Sequence, residues 1–241
     1  MRLSVEDLSV HYGRIAAVRG VSFEVGEGEA FAIIGANGAG KTSTLQAIAG
    51  GRPASGGTIR FGETILNPLS PEARARLGLS LVPEGREVFG SLTVEENLLV
   101  ATAARRDRSG VRRDLDRLLD RFPVLRHRLH SLGQSLSGGE QQQLVICRAL
   151  MTRPRLLLID EPSLGLAPQM VDTVYDILAE LRAAEGLTLL VVEQSLDRVL
   201  EIADRVAILE TGGVQRIASR ATLRAELAAS ATSRQAAWSL A

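Results

Sequence analysis

Gly35-Ala36-Asn37-Gly38-Ala39-Gly40-Lys41-Thr42 sets three glycines ahead of a lysine and a hydroxyl, at a spacing suited to holding a polyphosphate. The glycines let the backbone bend until consecutive N–H groups point inward. A helix starting at Thr42 would aim its positive end at the same point. Lys41 then brings a full charge to the β- and γ-phosphates, and the Thr42 hydroxyl is placed to ligate Mg²⁺. Far along the chain, Asp160 and Glu161 end an unbroken apolar run, residues 156–159. Carboxylates at the end of a buried parallel strand face the crevice where ligands bind in open α/β sheets. There Asp160 would hold Mg²⁺ through water, and Glu161 would orient and polarise an attacking water. Residues of these types imply phosphoryl transfer to water.

Between those two sites lies Leu136-Ser137-Gly138-Gly139-Glu140-Gln141. Ser137 and Glu140 fit a capping box, and the helix start they define is ready for an anion. The chain's own nucleotide already has such a helix start, so this one has no complete purpose within a single chain. An ordinary capped helix is the plain alternative. The stretch resembles the signature of ATP-binding-cassette (ABC) ATPases, and the order of motifs agrees from Tyr12 to Gln194.

That resemblance implies further roles. Ala36, Asn37 and Ala39 belong to the phosphate loop, and Ser43 would contact the α-phosphate. Tyr12 matches the aromatic that stacks on adenine, with Val18 beside it; a tyrosine at a strand end also serves packing. Ser137, Gly138, Gly139 and Glu140 would bind the γ-phosphate held by an opposing subunit. The implied active unit is a head-to-tail dimer of ATPase subunits with two ATP molecules, and Mg²⁺, between them.

Three positions depart from the general pattern. Glu84, in Val82-Pro83-Glu84-Gly85-Arg86, stands where Gln normally touches Mg²⁺. Ala167 ends a loop that usually ends in Asp. Gln194, in Val192-Glu193-Gln194, replaces the histidine that meets the γ-phosphate; its amide still donates a hydrogen bond but holds no proton charge. Together these segments resemble the ATPases of branched-chain (hydrophobic) amino acid importers, where they are the ordinary form. The expected partners are membrane-spanning permease subunits and a periplasmic or lipid-anchored substrate-binding protein. The expected place is the cytoplasmic face of the cell membrane. The tail ends AAWSLA, unlike that subfamily. The ATPase of a lipid or polysaccharide exporter remains the alternative, and an ABC ATPase acting on nucleic acid or ribosomes is a further one. In importers a short helix of the membrane subunit docks between subdomains, here near Arg86, Val88 and Phe89; Phe89 would anchor it or else plug the joint.

Composition narrows the field. The 28 basic residues balance 28 acidic ones, so the surplus that a nonspecific nucleic-acid binder uses to displace counterions is missing. A lone cysteine, Cys147, allows no internal disulfide and reads as core, which suits a reducing compartment. No run approaches the ~20 apolar residues that cross a bilayer, and no signal peptide is expected at the N-terminus. His127 and His130 lack companions for a metal site and read as surface residues. The arginines of residues 105–128 are interleaved with Asp107, Asp114, Asp116 and Asp120, which reads as a solvated face with intrahelical ion pairs.

The elements that must position these residues alternate. Residues 3–10 and 18–25 read as strands around a turn at Gly13, and Gly56-Gly57 as another turn. Strands at 30–34, 79–82, 156–160, 189–192 and 206–210 are interspersed with helices at 42–49, 168–185 and 196–203. Thr211-Gly212-Gly213 reads as a hairpin turn into 214–218. Strand, helix, strand implies a mostly parallel sheet covered on both faces. The fold class is α/β: a P-loop NTPase (RecA-like) core with an N-terminal antiparallel β part and an inserted α-helical subdomain. Residues 1–86 and 153–228 form the nucleotide-binding core, 87–152 the helical subdomain carrying the signature, and 229–241 a tail expected to fray.

Overall fold

The structure, a computed structural model, describes residues 1–105 and 107–238, with 104 and 230–238 described by backbone alone. It opens with β1 (Leu3–Tyr12) and β2 (Ile15–Val25), paired antiparallel. Next, β3 (Ala30–Ile34) is buried along its whole length and runs into the glycine-rich loop and α1 (Lys41–Ala49). β4 (Gly56–Phe61) and β5 (Thr64–Ile65) complete a four-stranded antiparallel sheet in the order β2-β1-β4-β5. The expected turn at Gly56-Gly57 is therefore the start of a strand. At Gly57, φ is 81°, and a Cβ would lie 2.4 Å from the carbonyl oxygens of Glu6 and Asp7. Only glycine lets β4 approach β1 at this irregular point in their pairing.

α2 (Pro71–Leu77) starts at Ser70, whose Oγ accepts the Ala73 N–H, and stops at Gly78. Its Arg74 is buried and donates to the carbonyls of Ala47 and Ile48 at the end of α1. A cation there meets the negative end of the dipole whose positive end lies at the phosphate loop. After β6 (Leu79–Val82) come α3 (Val94–Val100), α4 (Val111–Arg121), α5 (Pro123–His127) and α6 (Gly138–Leu150). Capping boxes at Thr93/Glu96 and Ser137/Glu140 start α3 and α6.

Strands and helices then alternate through β7 (Leu156–Asp160), α7 (Pro168–Glu185), β8 (Thr188–Glu193), α8 (Leu196–Ile202) and β9 (Arg205–Glu210). β10 (Gly213–Ser219) returns antiparallel through Thr211 and Gly212, whose φ values of 49° and 84° suit a tight hairpin. α9 (Arg220–Trp238) closes the chain; the tail expected to fray is helical in backbone to Trp238, and 239–241 lie outside the described residues.

The second sheet runs β10-β9-β3-β8-β7-β6, parallel except at β10. β7 shows why it is sandwiched. Leu156 and Leu158 join a cluster with α1 and the antiparallel sheet, while Leu157 and Ile159 join one with α6 and α7. Each fully buried leucine contributes about 2 kcal/mol of transfer free energy. Anchored on both faces, the strand can carry Asp160 into a buried position.

One surface reading is corrected. Asp114 and Arg105 are buried, and Asp114 accepts from Arg105 Nη1 at 2.5 Å and from Arg153 Nε at 2.6 Å. Among the described residues, Arg112–Asp116 is the one i,i+4 ion pair of α4. Burial pushes the Asp114 carboxyl up, but Arg153 and Arg105 outweigh it and hold it below the usual carboxylate range. A depressed folded-state pKa stabilises above the unfolded value near ~4 and is lost as pH falls through the folded one. Urea denaturation against pH is therefore expected to show an acid limb that Asp114→Asn reduces. An unchanged limb in that variant would remove this network as its source. Cys147 is buried in the core as expected, which raises its thiol pKa, and His130 is exposed.

Candidate active site

β3 delivers the glycine-rich loop to the C-terminal edge of the parallel strands. Gly40 sits at φ 98°, and a Cβ there would meet the Ala17 carbonyl at 2.4 Å. The tight packing of loop against β2 thus excludes any side chain at this position. Lys41 is 4% exposed; its Nζ donates to the carbonyls of Gly35 (2.9 Å) and Ala36 (3.3 Å) and pairs with Glu161 Oε1 at 3.3 Å.

β7 delivers the two acids. Thr42 Oγ1 donates to Asp160 Oδ1 at 3.2 Å. Burial pushes the Asp160 carboxyl up to about 6; the Thr42 hydrogen bond opposes this, and the nearby charges of Glu84 and Glu161 add to it. Its Oδ2 is buried without a hydrogen-bond partner. An orphaned carboxylate oxygen beside a threonine hydroxyl fits a small hard cation. Among the described residues no cluster of three or more His, Cys, Asp or Glu is arranged for a metal. Mg²⁺ requires no such cluster, being commonly held by one or two protein oxygens plus substrate phosphates.

Glu161 has φ 46°, a left-handed conformation uncommon for any residue but glycine, and its N–H is tied to the Val192 carbonyl at 2.9 Å. Such a residue costs on the order of 1–2 kcal/mol and persists only where its surroundings overdetermine it. Here they do. While Lys41 faces Oε1, Gln194 Nε2 donates to Oε2 at 2.8 Å. Both carboxylate oxygens are thereby aimed by named side chains.

Lys41, Thr42, Glu161 and Gln194 line one cleft of about 660 Å³, within the usual size range of small-ligand sites, whereas Tyr12 and the buried Asp160 stand outside its lining. Asn37, Gly38, Gly40, Lys41, Thr42, Ser43, Glu84, Glu161 and Gln194 meet there, from segments more than 150 residues apart in sequence. Ile15, Ala16, Ala17, Arg19, Thr211 and Gly212 complete the lining, and none of them was singled out by motif. Tyr12 carries the Arg52 guanidinium 4.0 Å from its ring centre, so a base would stack on the opposite face. Hydrogen bonding from Ser43, then from Arg52, lowers its phenol pKa.

Val18 is not brought to the cleft. Its side chain is fully buried in the core, and Ala16 and Ala17 face the site instead. Irregular pairing between Val10/Val18 and His11/Ala16 shifts which residues of β2 face inward. Ser137, Gly138, Gly139 and Glu140 also lie outside this lining. Their α6 helix packs against α7, where a Cβ on Gly139 would lie 2.5 Å from Met170 Cε.

Two residues with positioning contacts escaped the motif reading. Arg86, read from sequence as part of a partner surface, also donates to the Gly165 carbonyl at 2.9 Å and lies over Gly138. Glu193, quoted from the sequence only as part of Val192-Glu193-Gln194, is buried among three donors. Neither could be found by spacing, because Gly165 is distant in sequence from Arg86, and Ser163 and Tyr175 from Glu193.

The ABC transporter family model matches residues 18–164, more than half of the chain. The high-affinity branched-chain amino acid transport ATP-binding protein BraG of Pseudomonas aeruginosa is 43% identical over 212 residues, covering 88% of this chain and 90% of BraG. The lipopolysaccharide export system ATP-binding protein LptB of Escherichia coli K12 is 34% identical over 212 residues, 87% of each chain. A crystal structure of the ADP conformation of an ATP-binding cassette superimposes with a TM-score of 0.81 at 27% identity, covering 91% of both chains.

Proposed function

The chain belongs to the ABC transporter family of ATP-hydrolysing, nucleotide-binding subunits, and from that premise we propose that it energises uptake of branched-chain or other hydrophobic amino acids through membrane-spanning partners. The observation that carries this is the 43% identity to BraG along nearly the full length of both chains. LptB, at 34%, supports the exporter alternative less strongly.

The cleft supplies a mechanism for the hydrolysis step. The loop N–H groups, the start of α1 and Lys41 bind the β- and γ-phosphates. Thr42 and Asp160, with Glu84 nearby, would hold Mg²⁺, which neutralises phosphate charge when bound. Glu161 orients water toward the γ-phosphorus and takes its proton as the bond to the bridging oxygen breaks, releasing ADP and phosphate. Gln194 fixes the Glu161 carboxylate by its hydrogen bond. Because Ser137–Glu140 stand outside the chain's own cleft, a second cassette arranged head to tail would place them on the γ-phosphate.

Among the described residues no helix is long and apolar enough to cross a membrane. The transport reading requires membrane-spanning permease subunits as partners, with this chain on their cytoplasmic face and a substrate-binding protein outside. Phe89 is 46% exposed and stacked beneath Arg148, whose guanidinium lies 4.7 Å from its ring centre. An exposed ring held in place favours an anchor over a plug. Phe89→Asp is expected to leave ATP affinity intact, reduce co-purification of the membrane subunits and abolish uptake of radiolabelled leucine. Normal assembly would remove Phe89 from the interface. Absence of hydrophobic amino acid uptake by the wild-type complex would overturn the substrate assignment.

A further inference from the structure

Glu193 ends β8 with a carboxylate that is 2% exposed and lies outside the nucleotide cleft. Three donors converge on it. Tyr175 OH donates to Oε1 at 3.1 Å and the Ser163 N–H to the same oxygen at 3.0 Å, while the Gln194 N–H donates to Oε2 at 3.1 Å. They come from α7, from the loop after Glu161, and from the residue whose side chain holds Glu161. A simple packing role would suit an apolar residue here, because burying a carboxylate is costly. A carboxylate differs from an amide in accepting at both oxygens with no donor of its own. Only such a group can receive both backbone N–H groups, one at each oxygen.

We propose that Glu193, seated by Tyr175, is a positioning residue that holds Gln194 and the loop following Glu161 in register for hydrolysis. One buried carboxylate thereby steadies Glu161 from two sides: through Gln194, and through Ser163 two residues further along the chain. Burial and the adjacent Glu193 push the Tyr175 phenol well above its usual range, so it stays a donor throughout the working pH range. The inference rests on the assignment of Gln194 to the Glu161 carboxylate.

The test uses the full-length protein with Mg²⁺ and ATP. Glu193→Gln keeps volume and shape but leaves one of the two N–H groups facing an NH₂ donor. Its kcat is expected to fall by about 10–100-fold, the scale of a slightly misplaced catalytic group. KM, affinity for a fluorescent ATP analogue and Tm should stay near wild type, since the phosphate loop is untouched. Tyr175→Phe, which spares both N–H groups, should show a smaller fall of the same kind and serves if Glu193→Gln does not fold. Gln194→Ala provides the comparison. If Gln194→Ala loses kcat and Glu193→Gln does not, the positioning role is overturned. If kcat and Tm fall and KM rises together in both Glu193→Gln and Tyr175→Phe, the carboxylate is merely structural and the proposal fails. An unchanged kcat in Gln194→Ala would overturn the assignment of Gln194 itself, and this inference with it. A wild-type protein without ATP turnover would instead overturn the hydrolysis scheme from which both descend.

Discussion

Glu161→Gln is expected to bind ATP and to lose hydrolysis by about 10²–10⁴-fold, the usual contribution of a positioned general base. The amide is nearly the same size and can still meet Gln194, but it cannot take a proton from water. It also withdraws one negative charge from beside Asp160, whose carboxyl Glu161 helps to push up. With less repulsion near the phosphates, ATP-driven closure of a dimer should become easier. Gel filtration with ATP should therefore show more dimer for the variant than for the wild type, alongside a phosphate-release rate close to background. Turnover within a few-fold of wild type would sink the role of Glu161.

Lys41→Met is expected to have two separable effects. The first is loss of ATP binding, because the charge facing the β- and γ-phosphates is gone. The second concerns stability. Lys41 and Glu161 side chains are 4% and 7% exposed and pair at 3.3 Å. Removing one member of a buried pair typically costs about 3–5 kcal/mol, because the other charge is left without its partner. For a chain of this size that corresponds to a Tm drop on the order of 10 °C. The double variant Lys41→Met/Glu161→Gln should recover most of the stability and none of the binding. Thermal denaturation of the two single variants and the double variant reads the coupling directly. Additive Tm losses would show that the pair contributes nothing as a pair, and ATP binding at wild-type affinity by Lys41→Met would remove Lys41 from the phosphate site.

The features legible in the sequence were those closed by short stretches of backbone. The capping box at Ser137/Glu140 and the Thr211-Gly212 turn each depend on bonds or dihedrals within a few residues. The unbroken apolar run ahead of Asp160 likewise predicted a strand buried on both faces, because no polar face could be assigned to it. Chemistry followed the same rule: the loop from Gly35 to Thr42 carries its own spacing, and so does the Asp160-Glu161 pair.

What the tertiary structure decided were contacts that close over long separations or turn on register. Irregular pairing of β1 with β2 buried Val18 and turned Ala16 and Ala17 to the cleft. Pairing with β1 made a strand start of Gly56-Gly57, which by local preference resembles a turn. Asp114 looked solvated because one of its two arginine partners, Arg153, lies 39 residues away. Glu193 carried no signal of its own because its donors on α7 and the loop after Glu161 lie 18 and 30 residues upstream. A carboxylate's environment is set by whatever the fold packs against it, and residue type and local spacing carry no record of that.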